Sequence, residues 1–231
     1  MAGRSIKITA RDGGEFDCYL ALPSSAGPAP AIVLASAIHG VDADIHAIAD
    51  AFAARGFIAA APDLFWRTLP GPLPREDKRA AERAQPRLPR IKAGEADMAD
   101  TLSALRALPA FNGKAAAMGF CYGGPYSIIG PKRLGYAAGI SCHGTQMLDY
   151  IGELDGVTAP VCIVWGDQDH VAPPPVLDAY RALPARMRNV EVKIFPGVQH
   201  GFMMPSNPAA FDQAAHDFSF ARALAILDGL R

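Results

Sequence analysis

Half of the 231 residues are apolar, and 22 basic side chains against 23 acidic ones leave a formal charge of −1. That balance excludes a chain built for indiscriminate capture of nucleic acid, and no apolar run approaches the roughly 20 residues of a membrane-spanning helix. The length fits one domain, residues 1–231, whose core needs neither disulfides nor a structural metal.

The first 14 residues are polar and lack the hydrophobic stretch of a secretory signal, so the expected location is cytoplasmic. Residues 5–10 and 16–22, separated by Asp12-Gly13-Gly14, read as two antiparallel strands. From 31–35 onward short apolar runs alternate with helical patterns, the signature of a mostly parallel sheet covered on both faces. The helix 44–55 places Ile45, Ile48 and Phe52 on one face and stops at Gly56. Strands follow at 57–61, 115–120, 137–142, 161–165 and 190–195. Helices are expected from Met98 to before Pro109, near 174–183 and near 208–230. The count is about seven to eight strands.

One stretch departs from the background. Residues 67–92 hold eight basic and three acidic side chains with five prolines, and follow the C-terminal end of a predicted strand, where open parallel sheets bind ligands. The segment reads either as a cover that attracts anionic substrates or as a solvated surface.

Four cysteines, at 18, 121, 142 and 162, show no zinc-binding spacing, and no cofactor or metal motif is present. Cys18 and Cys162 sit in strand-like apolar runs and read as inert core thiols. Cys121 differs. In Gly119-Phe120-Cys121-Tyr122-Gly123-Gly124 it lies between glycines where a buried strand turns toward a helix, and Pro125 suits that helix's first turn. Such an elbow lifts the central side chain off the sheet and needs small residues two before and two after. The helix end favours thiolate, and the Tyr122 amide is placed to meet an oxyanion.

Two later strands deliver partners to the same sheet edge. Trp165-Gly166-Asp167-Gln168-Asp169 and Pro196-Gly197-Val198-Gln199-His200 complete the order nucleophile, acid, histidine. His200 would accept the thiol proton while Asp169 orients its ring.

With these pieces the chain resembles the dienelactone hydrolase family, an α/β-hydrolase branch with a cysteine nucleophile. Further matching segments are Ala29-Pro30-Ala31-Ile32-Val33, Arg55-Gly56-Phe57, Ala61-Pro62-Asp63-Leu64-Phe65, Gln168-Asp169-His170 with Pro173, and Gly197. The resemblance implies Cys121 as nucleophile, His200 as base, Asp169 rather than Asp167 as acid, and an oxyanion hole from the amides of Tyr122 and Ile38. It also marks two departures. The family glutamate that binds the resting thiol is replaced by Ala37, and the arginine that grips the substrate carboxylate by Met204. A second family arginine falls in the variable loop, at Arg79 or Arg83.

His39 and His143, each after a strand, are candidates for the pocket mouth, and Trp66 for a pocket wall. The expected partner is a small ester or lactone, the expected assembly a monomer or small homo-oligomer. The rival readings are an esterase or thioesterase for neutral substrates, and a noncatalytic thiol sensor.

Overall fold

The computed structural model describes residues 2–25 and 27–231. Strands β1 (Arg4–Thr9), β2 (Glu15–Ala21), β3 (Ala29–Ala35), β4 (Ile58–Pro62), β5 (Phe111–Phe120), β6 (Ala138–Cys142), β7 (Val161–Gly166) and β8 (Val190–Phe195) form one 8-stranded sheet. Its order is β1-β2-β4-β3-β5-β6-β7-β8. The first three strands in that order pair antiparallel, and the rest are parallel. This is the α/β-hydrolase fold.

β3, β4, β6 and β7 are buried at every position. Their unbroken apolar runs follow from helices covering both faces. On one face lie α1 (Ala43–Ala54) and α6 (Gln213–Asp228), which bury Ile45, Phe52, Ala223 and Leu227 against Ile32, Met118 and Ile140. Each large side chain buried this way is worth about 1.5–3 kcal/mol. Asp42 caps α1 by accepting from the Ile45 amide, and Asp212 caps α6 by accepting from Ala215.

The opposite face carries α3 (Arg87–Arg106), α4 (Tyr126–Ile129) and α5 (Pro175–Arg186), and α2 (Arg79–Arg83) precedes α3. α3 begins 11 residues before the expected Met98. Pro89 hides that start, because a proline in a helix's first turn costs no hydrogen bond. The two tyrosines Tyr126 and Tyr136 donate to the α3 carbonyls of Ile91 and Met98 at 2.9 and 2.8 Å, fixing α3 over the turn that follows β5.

The expected C-terminal helix is shorter, since α6 starts at Gln213 rather than near Pro208. Among the described residues no helix is long and apolar enough to cross a membrane.

Arg67 ties the hairpin turn to α3. It bonds both oxygens of Asp97, at 2.8 and 2.7 Å, and both of Asp12 at 2.7 Å. Burial pushes the Asp97 carboxyl up, and Arg67 pulls it back only in part. Arg67→Met should therefore lower unfolding free energy by about 3–5 kcal/mol in urea titrations, the usual penalty of a stranded buried charge. Protonated Asp97 needs no cation, so the deficit should shrink as pH falls, and Asp97→Asn in the same background should recover part of it.

Candidate active site

The turn after β5 is enforced by its glycines. A β-carbon on Gly119 would strike the Gly123 carbonyl, one on Gly123 the Ala35 carbonyl, and one on Gly124 the Gly144 backbone. Only with all three small can the chain double back so tightly. Cys121 then takes a left-handed φ of 51°, strained for a residue with a side chain, and its carbonyl accepts the amides of Gly124 and Thr145 at 3.0 and 2.8 Å. A single 3-10 turn, Cys121–Gly123, leads into α4, and a π-helical turn, Gly130–Leu134, follows.

His200 follows β8 and Asp169 follows β7. The Nδ1 of His200 lies 2.7 Å from the Oδ2 of Asp169, whose side chain is fully buried, and the Oδ1 of Asp169 accepts the Val171 amide at 2.9 Å. With both carboxylate oxygens engaged, Asp169 holds the ring in one orientation. Asp167 is used differently: it accepts the Gly197 amide at 2.7 Å and ties the β7 turn to the β8 turn.

The other imidazole nitrogen, Nε2, is buried with no hydrogen-bond partner among the described residues, and after burial the strongest influence on the ring's charge is the Cys121 thiol. The two side chains shift each other. Burial opposes ionisation of both. The His200 charge and hydrogen bond, then the charge of Arg87 and the Tyr122 amide, nevertheless bring the Cys121 thiol below its usual range. Burial likewise disfavours the His200 cation, but Cys121 and Asp169 together raise it above the usual imidazole range. Each side chain thus favours the charged form of the other, the direction that leads toward thiolate and imidazolium.

The other cysteines provide the contrast. Burial pushes Cys18 and Cys162 up to about 12, and raises Cys142 as well. All three are inert core thiols. Enclosure alone suppresses thiolate; the imidazole beside Cys121 reverses it.

A sequence profile of the dienelactone hydrolase family matches residues 16–229. The chain belongs to that family. It is a hydrolase of the ester and lactone class. A carboxymethylenebutenolidase from Cupriavidus pinatubonensis is 29% identical over 238 residues, covering 100% of this chain and 99% of the relative. A carboxymethylenebutenolidase from Pseudomonas putida is 29% identical over 178 residues, covering 76% of this chain and 75% of the relative. Among solved structures, a dienelactone hydrolase-like promiscuous phosphotriesterase from metagenomic libraries superposes with a TM-score of 0.83 at 20% identity, covering 100% of this chain and 99% of that one. At that identity the last match speaks for the fold.

Several residues singled out in the sequence lie elsewhere than expected. Trp66 does not wall the site: it stacks on Phe16 at 5.9 Å under the Arg67 guanidinium, packing the first hairpin. Arg79 is an exposed partner of Asp77, and Met204 is buried in the α1/α6 core. Arg83 is buried and spends its donors on backbone carbonyls. Ala37 is half-buried and its carbonyl accepts the Gly40 amide at 2.9 Å, while His39 is half-buried with its carbonyl on the Leu73 amide.

His143 does not line the mouth. It is 1% exposed, its ring stands edge-on to His200 and to Phe202 with centroids 4.9 Å away, and φ is 41°. Burial, then the charge of His200, drives its pKa well below the usual range. Of the two rings, the surroundings disfavour the cation on His143 and favour it on His200.

The sequence reading missed Arg87. This first residue of α3 has no carboxylate partner among the described residues, lies 5.6 Å from the Tyr122 ring, and makes a long 3.5 Å contact to Thr145 Oγ1. Nothing in its sequence neighbourhood set it apart, since Arg90 likewise has no acidic residue within four positions.

Replacing His200 with Gln should leave burial as the dominant influence on Cys121 and raise its pKa. Iodoacetamide alkylation of Cys121 at pH 7 should then slow by at least about tenfold, because a thiol returned to or above its ordinary range of about 8.5 is only a few per cent ionised at that pH. The measurement is the mass of the alkylated tryptic peptide against time.

Proposed function

We propose that this enzyme cleaves small lactones or esters through Cys121, His200 and Asp169, and that Arg87 receives a carboxylate on the substrate. The single observation that carries the reading is the His200 ring, bonded through Nδ1 to buried Asp169 while its Nε2 is left to Cys121.

The thiolate attacks the carbonyl carbon, forming a C–S bond while the carbonyl electrons move to oxygen. That oxyanion is received by the amides of Tyr122 and Ile38. As the carbonyl re-forms, the C–O bond to the leaving oxygen breaks and His200 supplies its proton from Nε2. In a lactone the released oxygen stays tethered to the acyl group. Neutral His200 then takes a proton from water, hydroxide adds to the thioester, and the thiolate departs with the bond electrons. The sequence returns the resting ion pair.

Electrostatics supports an anionic substrate. Of the arginines near the site, Arg83 is occupied by carbonyls and Arg75 by Asp44 and Asp42, whereas Arg87 carries its charge toward Cys121 without a carboxylate partner. The names of the two curated relatives describe enzymes that open a carboxylate-bearing lactone. The proposed setting is the cytoplasm.

Two measurements test this. In a Cys121→Ala variant, burst acylation by p-nitrophenyl butyrate should vanish while the circular dichroism spectrum is retained, and the parent should show the acyl mass on the peptide containing Cys121. Arg87→Met should raise KM for mono-p-nitrophenyl succinate by about tenfold or more, the loss of one charge-assisted contact, and shift KM for the uncharged butyrate by less than about threefold. Equal effects on both substrates would favour the neutral-ester esterase reading.

A further inference from the structure

Arg83 lies inside the protein, 5% exposed, in α2. A buried guanidinium ordinarily faces a carboxylate. This one instead faces four backbone contacts. Its Nε and Nη2 both donate to the Ile38 carbonyl, at 3.0 and 2.8 Å, and its Nη1 donates to the carbonyls of Leu69 and Gly71, at 2.7 and 2.6 Å. The guanidinium lies over Phe65 at 4.3 Å, and Phe65 in turn packs on Tyr122 at 4.9 Å. One planar group thus touches the loop after β3, the loop after β4, and an aromatic ring resting on the nucleophile turn.

The residue it grips with a two-pronged contact is the one whose amide faces the proposed oxyanion position. The loop around Ile38 is a tight turn closed by the Gly40 amide on the Ala37 carbonyl at 2.9 Å. That bond holds Ile38 from its N-terminal side; Arg83 holds it from its C-terminal side. Among the described residues the Ile38 amide itself donates no hydrogen bond; its peptide plane is held through the Ala37 carbonyl by Gly40, and the next plane through the Ile38 carbonyl by Arg83, so the two contacts together set its direction. Gly40 completes the fit. It takes φ +80°, and a β-carbon there would come within 2.7 Å of Arg83 Nη2.

We infer that Arg83 is a positioning residue that holds the Ile38 amide in the oxyanion hole, by clamping the Ile38 carbonyl to the loop after β4. The inference rests on the Cys121 mechanism proposed above. It assigns Arg83 no contact with substrate, because four of its five N–H directions are already committed to the protein. Lysine cannot replace it: a single ammonium has no fork to reach the three carbonyls in one plane.

Acylation and alkylation of Cys121 separate the role. Thioester formation passes through an oxyanion, whereas iodoacetamide alkylation is a direct displacement at carbon with none. Arg83→Met and Arg83→Lys are compared with the parent in three readings: kcat and KM for p-nitrophenyl butyrate and for mono-p-nitrophenyl succinate, the rate of iodoacetamide alkylation at pH 7, and thermal unfolding. Loss of a whole oxyanion donor costs about 100- to 1000-fold in kcat, so a displaced one should cost about 10- to 100-fold. The expected result is that fall in kcat for both esters in both variants, with KM within about threefold and alkylation within about twofold.

Three results overturn it. An unchanged kcat does so directly. A KM increase confined to the succinate would make Arg83 a carboxylate ligand, and a parallel loss of acylation and alkylation would make it a general structural support. Failure of the mechanism itself reads out separately, as parent enzyme that still hydrolyses butyrate after Cys121 is fully alkylated.

Discussion

A sulfur anion buried among apolar side chains exists only if a cation is held against it, and in the proposed mechanism that cation is His200. Desolvation is the largest influence on Cys121 and on His200 alike, and it opposes the charge on each. What reverses it is their mutual attraction, supplemented on the histidine side by Asp169 and on the sulfur side by Arg87 and the Tyr122 amide. The sheet exists, in functional terms, to bring these groups to one edge. The parallel strands β5, β7 and β8 end on the same side and deliver Cys121, Asp169 and His200, the proposed nucleophile, acid and base, from far apart in sequence.

The basic segment 67–92 shows how charge is distributed once folded. Its arginines do not form a diffuse attractive field over the site. Arg67 is neutralised by Asp97 and Asp12, Arg75 by Asp44, and Arg79 by Asp77, while Arg83 is absorbed by carbonyls. The segment is thereby strapped to the hairpin, to α1 and to the loop after β3, and Arg87 remains as the cation whose charge is felt at the nucleophile. Local net charge overstated the attraction because it could not count the acids that arrive from elsewhere in the chain.

All eight strands and the two sheet faces were legible in the sequence, because buried parallel strands must be apolar and must alternate with covering helices. The site core was legible for a related reason: Gly119 and Gly123 are demanded by backbone packing, so their spacing around Cys121 has a steric meaning a reader can recover. Side-chain direction was not legible. Trp66 looked like a pocket residue by its place after a strand, and Met204 by its place at the family's substrate-binding arginine, yet each packs against a core. His143 stands after β6 as expected but points under His200, through a left-handed φ that no residue pattern announced. Arg83 and Arg87 are four residues apart, and only the fold separates the one bonded to backbone carbonyls from the one beside Tyr122 whose charge lowers the Cys121 pKa.

The account turns on the ionisation state of one sulfur, and titrating thiolate by its ultraviolet absorbance measures that state directly. Cys18, Cys142 and Cys162 are all pushed upward by burial, so any absorbance that appears below the ordinary thiol range belongs to Cys121. The parent should show one thiolate equivalent already present at neutral pH, lost on acidification and absent from Cys121→Ala. A protein with no thiolate at neutral pH, whose cysteines all ionise at or above the ordinary thiol range, would contradict the ion pair and the chemistry built on it.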